Sequence, residues 1–240
     1  MRAEAGARRR PWGGIVTLTV IAMAVGAWAV ASSPVFHIRD VKVKGNRHLS
    51  DSEVVRLAGI GADANLLTFP TERVARSLMR NPWIRRAEVS RSFPSTLILT
   101  IEERSEVAWV RHPNGVAVVA ADGTVLNRRR KPPKALVAIG RSGRPLRPGA
   151  VLEGLEEPLA VAASLAPRLR GQVERASLEE GQIVLHLVDG TRILYGQAGS
   201  LPEKNAALAK VLRWAGKQGA DLAYVDLRVA GNPAVKVRRG

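Results

Sequence analysis

The side chains that most often carry a reaction are sparse in this chain and poorly grouped. Cysteine is absent, which excludes a thiolate nucleophile, a disulfide and a cysteine-bound metal. The four histidines, His37, His48, His112 and His186, are scattered. His186 alternates with Leu185 and Leu187 and reads as an ordinary strand side chain, with no cysteine or carboxylate cluster in the sequence to make it a ligand. Glu102-Glu103 and Glu179-Glu180 are adjacent pairs. Neighbours on a strand point to opposite faces, so neither pair readily brackets a bond. Ser200 with Glu203 spells an S-x-x-E capping box, which explains that serine as a helix cap. Gly59-x-Gly61 follows a helix instead of the strand a phosphate loop needs. No reaction class, metal site or cofactor is supported, and the chemistry to expect is binding.

What must be positioned is therefore a surface, and the segment that places it is Trp12 to Ala31. This stretch carries no charge, and about 20 residues at 1.5 Å rise match a bilayer core of roughly 30 Å. Arg2, Arg8, Arg9 and Arg10 precede it, which predicts a cytoplasmic N-terminus and an exported remainder. The triplet Ala29-Val30-Ala31 also fits a signal-peptide cleavage site, but the apolar run exceeds the usual h-region of about 7 to 15 residues. A retained single-pass anchor is expected. The remaining chain is long for one average domain and suits two small ones.

The net charge is +16, and its largest share, nine of the sixteen, falls in residues 105–240. Such a balance suggests a polyanionic partner. An exported domain without an aromatic stacking platform points away from nucleic acid, toward membrane headgroups, anionic wall polymer or an acidic protein. The run Arg128 to Lys131, before Pro132, Pro133 and Lys134, reads as an exposed loop.

In chain order, Phe36 to Val43 predicts a strand ending at Gly45-Asn46. Ser50 and Glu53 form a capping box that opens a helix closed by Gly59 or Gly61. A second helix starts near Pro70, with Val74, Leu78, Ala75 and Met79 giving an apolar face, and stops at Asn81-Pro82. Trp83 to Ser90 and the face Leu97, Leu99, Ile101 predict two strands around Pro94. The order is β-α-α-β-β. Beyond Arg104 come short strands at Val107 to Val110 and Val116 to Ala120, with a turn at Asp122-Gly123. A helix is predicted over about Glu156 to Leu169. Strands Gln182 to Val188 and Thr191 to Tyr195 meet across Asp189-Gly190. After Ser200 a helix carries the core stripe Leu208, Val211, Leu212 and Ala215, with Gly219 past its end. Leu222 to Val229, a Gly231-Asn232-Pro233 turn and Ala234 to Val237 finish the chain. The class is α+β, with one transmembrane helix, a small β-α-α-β-β domain and a C-terminal mixed β-rich domain with helices.

Two sets of residues carry a resemblance. FHIRDVKVKGNRHLS, with NLLTFPTERVARSLMRNPWIRRAEVSRSFPSTLILTIEER, resembles the POTRA domain of the FtsQ/DivIB bacterial division proteins. ADGTVL, YGQAGSLPEKNAALAKVL and YVDLRVAGNPAVKV resemble the β domain of the same family, while residues 127–180 match no pattern of it. The resemblance implies a cytoplasmic stub over 1–11, a transmembrane helix over 12–31, a POTRA domain over 35–104 and an FtsQ-type β domain over 105–240. It further implies a non-enzymatic bitopic scaffold of the divisome, in the inner membrane at the septum. Such a scaffold binds FtsB/DivIC- and FtsL-like partners and helps control septal peptidoglycan synthesis, with no nucleic acid and no small-molecule substrate.

Ala234 to Val237 is expected to form a late, edge-like strand that pairs with an extended partner segment. Val235 and Val237 share one face, suited to a core, while Lys236 and Arg238 share the other. The expected contact surface comprises Arg228, Val229, Ala230, Gly231, Asn232, Ala234, Val235, Lys236 and Val237; the resemblance implies that Arg228 answers an acidic residue of the bound chain, while the sequence alone fits a solvated strand-end arginine equally well. Two other classes compete. A POTRA protein of an outer-membrane secretion or assembly system would run into a lipid-facing β-barrel, whose repeated strands are missing from 105–240. An anchored cell-wall enzyme would need a nucleophile or a bracketing carboxylate pair.

Overall fold

The computed structural model describes residues 12–31 and 33–238. The expected stub, 1–11, lies outside them. The backbone of Trp12–Ala31 is one continuous helix, α1. Nothing is described of the side chains at 12–15, 27 and 31, and among the described residues no helix is long and apolar enough to cross a membrane. The expected anchor therefore stands as a proposal.

The chain divides into two compact units, Met1–Leu78 with Arg86–Glu102, and Met79–Arg85 with Glu103–Gly240. In the first, the expected strand at Phe36 starts later. Pro34–Phe36 is a single 3-10 turn, with the Ser33 hydroxyl accepting from the Val35 amide, and β1 covers only Asp40–Lys44. Phe36 instead meets the Phe93 ring edge-on at 6.3 Å. Gly45, at φ +85°, is required where it stands, because any Cβ would collide with the Ile101 carbonyl. The capping box at the start of α2, Asp51–Ala58, forms as expected. The Ser50 hydroxyl accepts from the Glu53 amide, Glu53 accepts from the Ser50 amide at 2.8 Å, and left-handed Gly59 closes the helix. Helix α3, Thr71–Leu78, buries Val74 and Leu78. Strands β2, Ile84–Ser92, and β3, Thr96–Glu103, complete a sheet in the order β1-β3-β2, with Leu97, Leu99 and Ile101 buried on β3.

The second unit is built on a nine-stranded sheet. Its strands are β4 Ala108–His112, β5 Gly115–Val119, β6 Val125–Arg129, β7 Val137–Arg141, β8 Val173–Glu179, β9 Gln182–Leu187, β10 Arg192–Gly196, β11 Leu222–Asp226 and β12 Ala234–Val237. The order is β12-β11-β10-β9-β8-β7-β4-β5-β6, so β12 and β6 are the open edges. Helices α4, Glu156–Ser164, α5, Pro167–Arg170, and α6, Leu201–Gln218, share one core with the sheet through Leu159, Leu165, Leu169, Leu208 and Val211. The single helix expected over 156–169 is two, because Pro167 lacks an amide proton and begins α5. The run at Arg128 is also corrected, since Arg128 and Arg129 belong to edge strand β6 rather than to a loop. The capping box at Ser200 does not form. Ser200 has φ +49° and its side chain makes no cap bond.

Candidate functional site

The β12 edge is placed by β11, and the ladder between them fixes which groups face outward. Leu227, just after β11, donates its N–H to the Leu194 carbonyl at 2.8 Å, so it and Val225 of β11 address β10. Tyr224 and Asp226 are left to address β12, where they stand opposite Lys236 and Ala234. From the other side, Arg238 N–H donates to the Asp221 carbonyl at 2.8 Å, which again turns Lys236 and Ala234 inward. Val235 and Val237 thus direct their amide and carbonyl groups to the open edge. This strand is a ready acceptor for another extended chain.

The side chains of β12 depart from expectation. Val235 pairs with Val225, so both lie on the core face of the sheet, yet Val225 is fully buried while Val235 and Val237 are 40% and 43% exposed. Being outermost, β12 has a neighbouring strand on one side only. It presents apolar methyls beside unpaired backbone.

Arg228 follows β11 and sits between two hollows. One, of about 380 Å³, is lined by Asp226, Arg228, Val229, Asn232 and Ala234. The other, of about 400 Å³, joins Arg228 and Ala230 to Gln182, Gln197, Ser200 and Lys204. The expected surface is thus gathered around Arg228 and the strand, with Val229 66% exposed and Gly231 and Asn232 exposed in the connecting turn. Arg228 is not an unengaged charge. Its Nε lies 3.0 and 3.1 Å from the two Asp226 oxygens and its terminal nitrogen 2.6 Å from Oδ2. That hydrogen bond, and the charge behind it, hold the Asp226 carboxyl below the usual carboxylate range and raise the Arg228 guanidinium further. The fork is oriented from within the chain and keeps donors to spare.

Three residues of this neighbourhood escape sequence reasoning. Lys204 is 5% exposed. It donates to the carbonyls of Tyr195 and Gln197 at 2.8 and 2.9 Å and lies 5.1 Å from the Tyr195 ring centre. Burial lowers its pKa. Tyr195, fully buried and donating to Asn205 Oδ1 at 3.0 Å, is pushed up to about 12 by the same loss of solvent. Gly196, at φ +75°, leaves room for Arg228, whose Cγ would lie 3.2 Å from any added Cβ. The only sequence signals were the Y-G-Q and D-L-R motifs, read there as resemblance alone.

His186 is also less isolated than its sequence suggests. Its Nε2 lies 3.0 Å from Glu179 and 3.2 Å from the Ser177 hydroxyl, which itself donates to Glu179 at 2.8 Å. A serine relay uses the two ring nitrogens separately, whereas here both partners address Nε2. The group is a cross-strand hydrogen-bond cluster, with Arg192 joining Glu179 at 2.8 Å. Glu179 ends β8, while Glu180 lies in the turn to β9, with φ of +51° at Glu180 and +75° at Gly181, so the two are not neighbours on one strand. Among the described residues no cluster of three or more histidine, aspartate or glutamate side chains could hold a metal ion.

Comparison with known proteins follows this division of the chain. Residues 36–104 match the family model described as POTRA domain, FtsQ-type, and residues 107–228 match Cell division protein FtsQ/DivIB, C-terminal. The second match ends at Arg228, before β12. Similar curated relatives include Cell division protein FtsQ from Myxococcus fulvus, 28% identical over 94% of this chain and 79% of that protein. Another, of the same description, from Agrobacterium fabrum, is 25% identical over 85% of this chain and 62% of its own length. A third, from Mycobacterium leprae, is 29% identical over 79% and 54% respectively.

Proposed function

The chain belongs to the FtsQ/DivIB family of cell division proteins, and from that premise we propose that it is a bitopic, non-enzymatic scaffold that captures its divisome partner on the β12 edge. A role in the divisome follows from the family. The finer reading rests on one observation, the outward-facing backbone of Val235 and Val237 on a terminal strand with exposed apolar side chains. An extended segment of an FtsB/DivIC-like partner adds there as a further strand. Arg228, oriented by Asp226, meets an acidic side chain of that segment, and an FtsL-like protein joins through the same partner. Helix α1 anchors the chain in the inner membrane, with residues 1–11 cytoplasmic, a POTRA domain over 35–104 and an FtsQ-type β domain over 105–240 outside. The 20-residue, charge-free sequence of α1 supports this placement. By holding its partners together the scaffold helps control septal peptidoglycan synthesis.

The test is microscopy of the tagged full-length chain in dividing cells. Recruitment to midcell as septation begins is the expected result. A uniform membrane distribution throughout division would overturn the reading.

A further inference from the structure

At the end of the sheet remote from β12, strand direction collects charge from segments far apart in sequence. Strand β4 pairs parallel with β7, and β6 is antiparallel to β5, which is antiparallel to β4. Hence β4, β6 and β7 all run toward one end. Arg111 stands opposite Arg141, and across β5 the partner of Arg111, Val116, stands opposite Arg129. The three strands deliver Arg111, Arg128, Arg130, Lys131, Arg141 and Arg144 to that end, and all six are exposed. Residues 105–150 hold nine lysines and arginines against two acids, and both acids are engaged elsewhere, Glu106 with Arg129 and Asp122 with Arg104. Among the described residues none of the six has a carboxylate partner. The Arg111 guanidinium lies 5.4 Å over the Trp109 ring, which holds it in place.

Charged residues on an edge strand guard against unwanted pairing, and that would account for Arg128 and Arg130 on or beside β6. It does not account for Arg111, Arg141 or Arg144, which belong to interior strands or follow them. Five of the six are arginines, whose forked donors match phosphate oxygens in pairs. We propose that this end of the sheet is a docking surface for the phosphate headgroups of an anionic bilayer. The inference rests on α1 as a membrane anchor, because a domain tied to a bilayer meets its headgroups at high effective concentration, where dispersed cations become useful.

The full-length chain, inserted in phosphatidylcholine nanodiscs, is tested for capture of phosphatidylglycerol vesicles and of phosphatidylcholine vesicles at low and at physiological salt. Capture of the anionic vesicles, weakened by salt, is expected. With a few-fold change for each charge, the combined Arg130→Gln, Lys131→Gln, Arg144→Gln variant should lose at least about tenfold, and Arg111→Gln should lose in the same direction. A control with three charges removed elsewhere, Arg168→Gln, Arg213→Gln, Lys217→Gln, should stay within about twofold; circular dichroism checks the fold of each. Undiminished capture by the first variant, or equal loss in the control, would overturn the proposal. So would binding of soluble glycerophosphate or polyglutamate through these residues without vesicle capture, which would mark a small-anion or acidic-protein site. If the chain fails to co-elute with nanodiscs, the anchor reading fails separately, and flotation of the same chain with the vesicles still reads the patch.

Discussion

Arg228 and Asp226 act as one unit, and the consequences of changing either follow from that geometry. Arg228→Glu would set a second carboxylate beside Asp226 and reverse the charge offered to an acidic partner. Partner-peptide binding should fall by at least about tenfold, as for loss of a charge-assisted pair, with the circular dichroism spectrum unchanged. Because the Asp226 carboxyl is held below its ordinary value, the pair's contribution to stability is complete above that value and fades as pH falls through the lowered one. Urea unfolding should therefore show a loss of stability below about pH 4 that is smaller in Asp226→Asn. Tyr195→Phe removes the donor to Asn205 in a buried setting, and should cost about 1 to 2 kcal/mol in the same measurement. The Asp226 contact was invisible in the sequence, although only two positions separate the residues. A spacing of two on a regular strand would put both side chains on one face about 7 Å apart, and it is the chain's departure from β11 after Asp226 that folds the guanidinium back.

At the level of elements, identical sequence patterns led to different structures. S-x-x-E at Ser50 and at Ser200 are the same pattern, yet only the first forms the reciprocal bonds. Ser200 has a left-handed backbone instead of the extended one usual at a cap, and its hydroxyl makes no cap bond, although its carbonyl accepts the first helical bond from the Lys204 amide at 3.0 Å. Ser50→Ala should thus cost about 1 kcal/mol of stability, while Ser200→Ala should stay within about 0.5 kcal/mol, both read by urea denaturation. The β-α-α-β-β order and the DG hairpin were legible because turn residues and apolar spacing agreed there. Strands β6 to β8 were not. Arginines on an edge strand imitate a loop, while β7 is buried on consecutive residues and shows no alternation to detect. Ala234 to Val237 stands at the edge of the sheet, as expected. The face assigned to its valines agrees with Val235 standing opposite buried Val225, but their exposure was not legible, because whether an outermost strand is covered depends on the whole layer and not on its own residues.

For the whole molecule, the charge of +16 and the α1 segment make claims that can be tested on the intact chain. The proposed anchor predicts that protease added outside spheroplasts removes residues beyond about 34 and leaves a membrane-bound N-terminal fragment. A soluble mature chain beginning at Ser32 would show cleavage after Ala31 instead. The on-rate for an acidic partner should fall with salt more than the off-rate rises, because dispersed surface charges steer encounter and are screened beyond roughly 8 Å at physiological ionic strength. The most direct test of capture on β12 is binding of the partner's extended segment to the full-length chain carrying proline at Val235 or at Lys236. Val235 points its amide outward, so Val235→Pro should leave the fold intact and abolish binding, whereas Lys236→Pro should break the ladder to Tyr224 and disturb the domain itself. Full binding by a correctly folded Val235→Pro protein would contradict the edge-strand account.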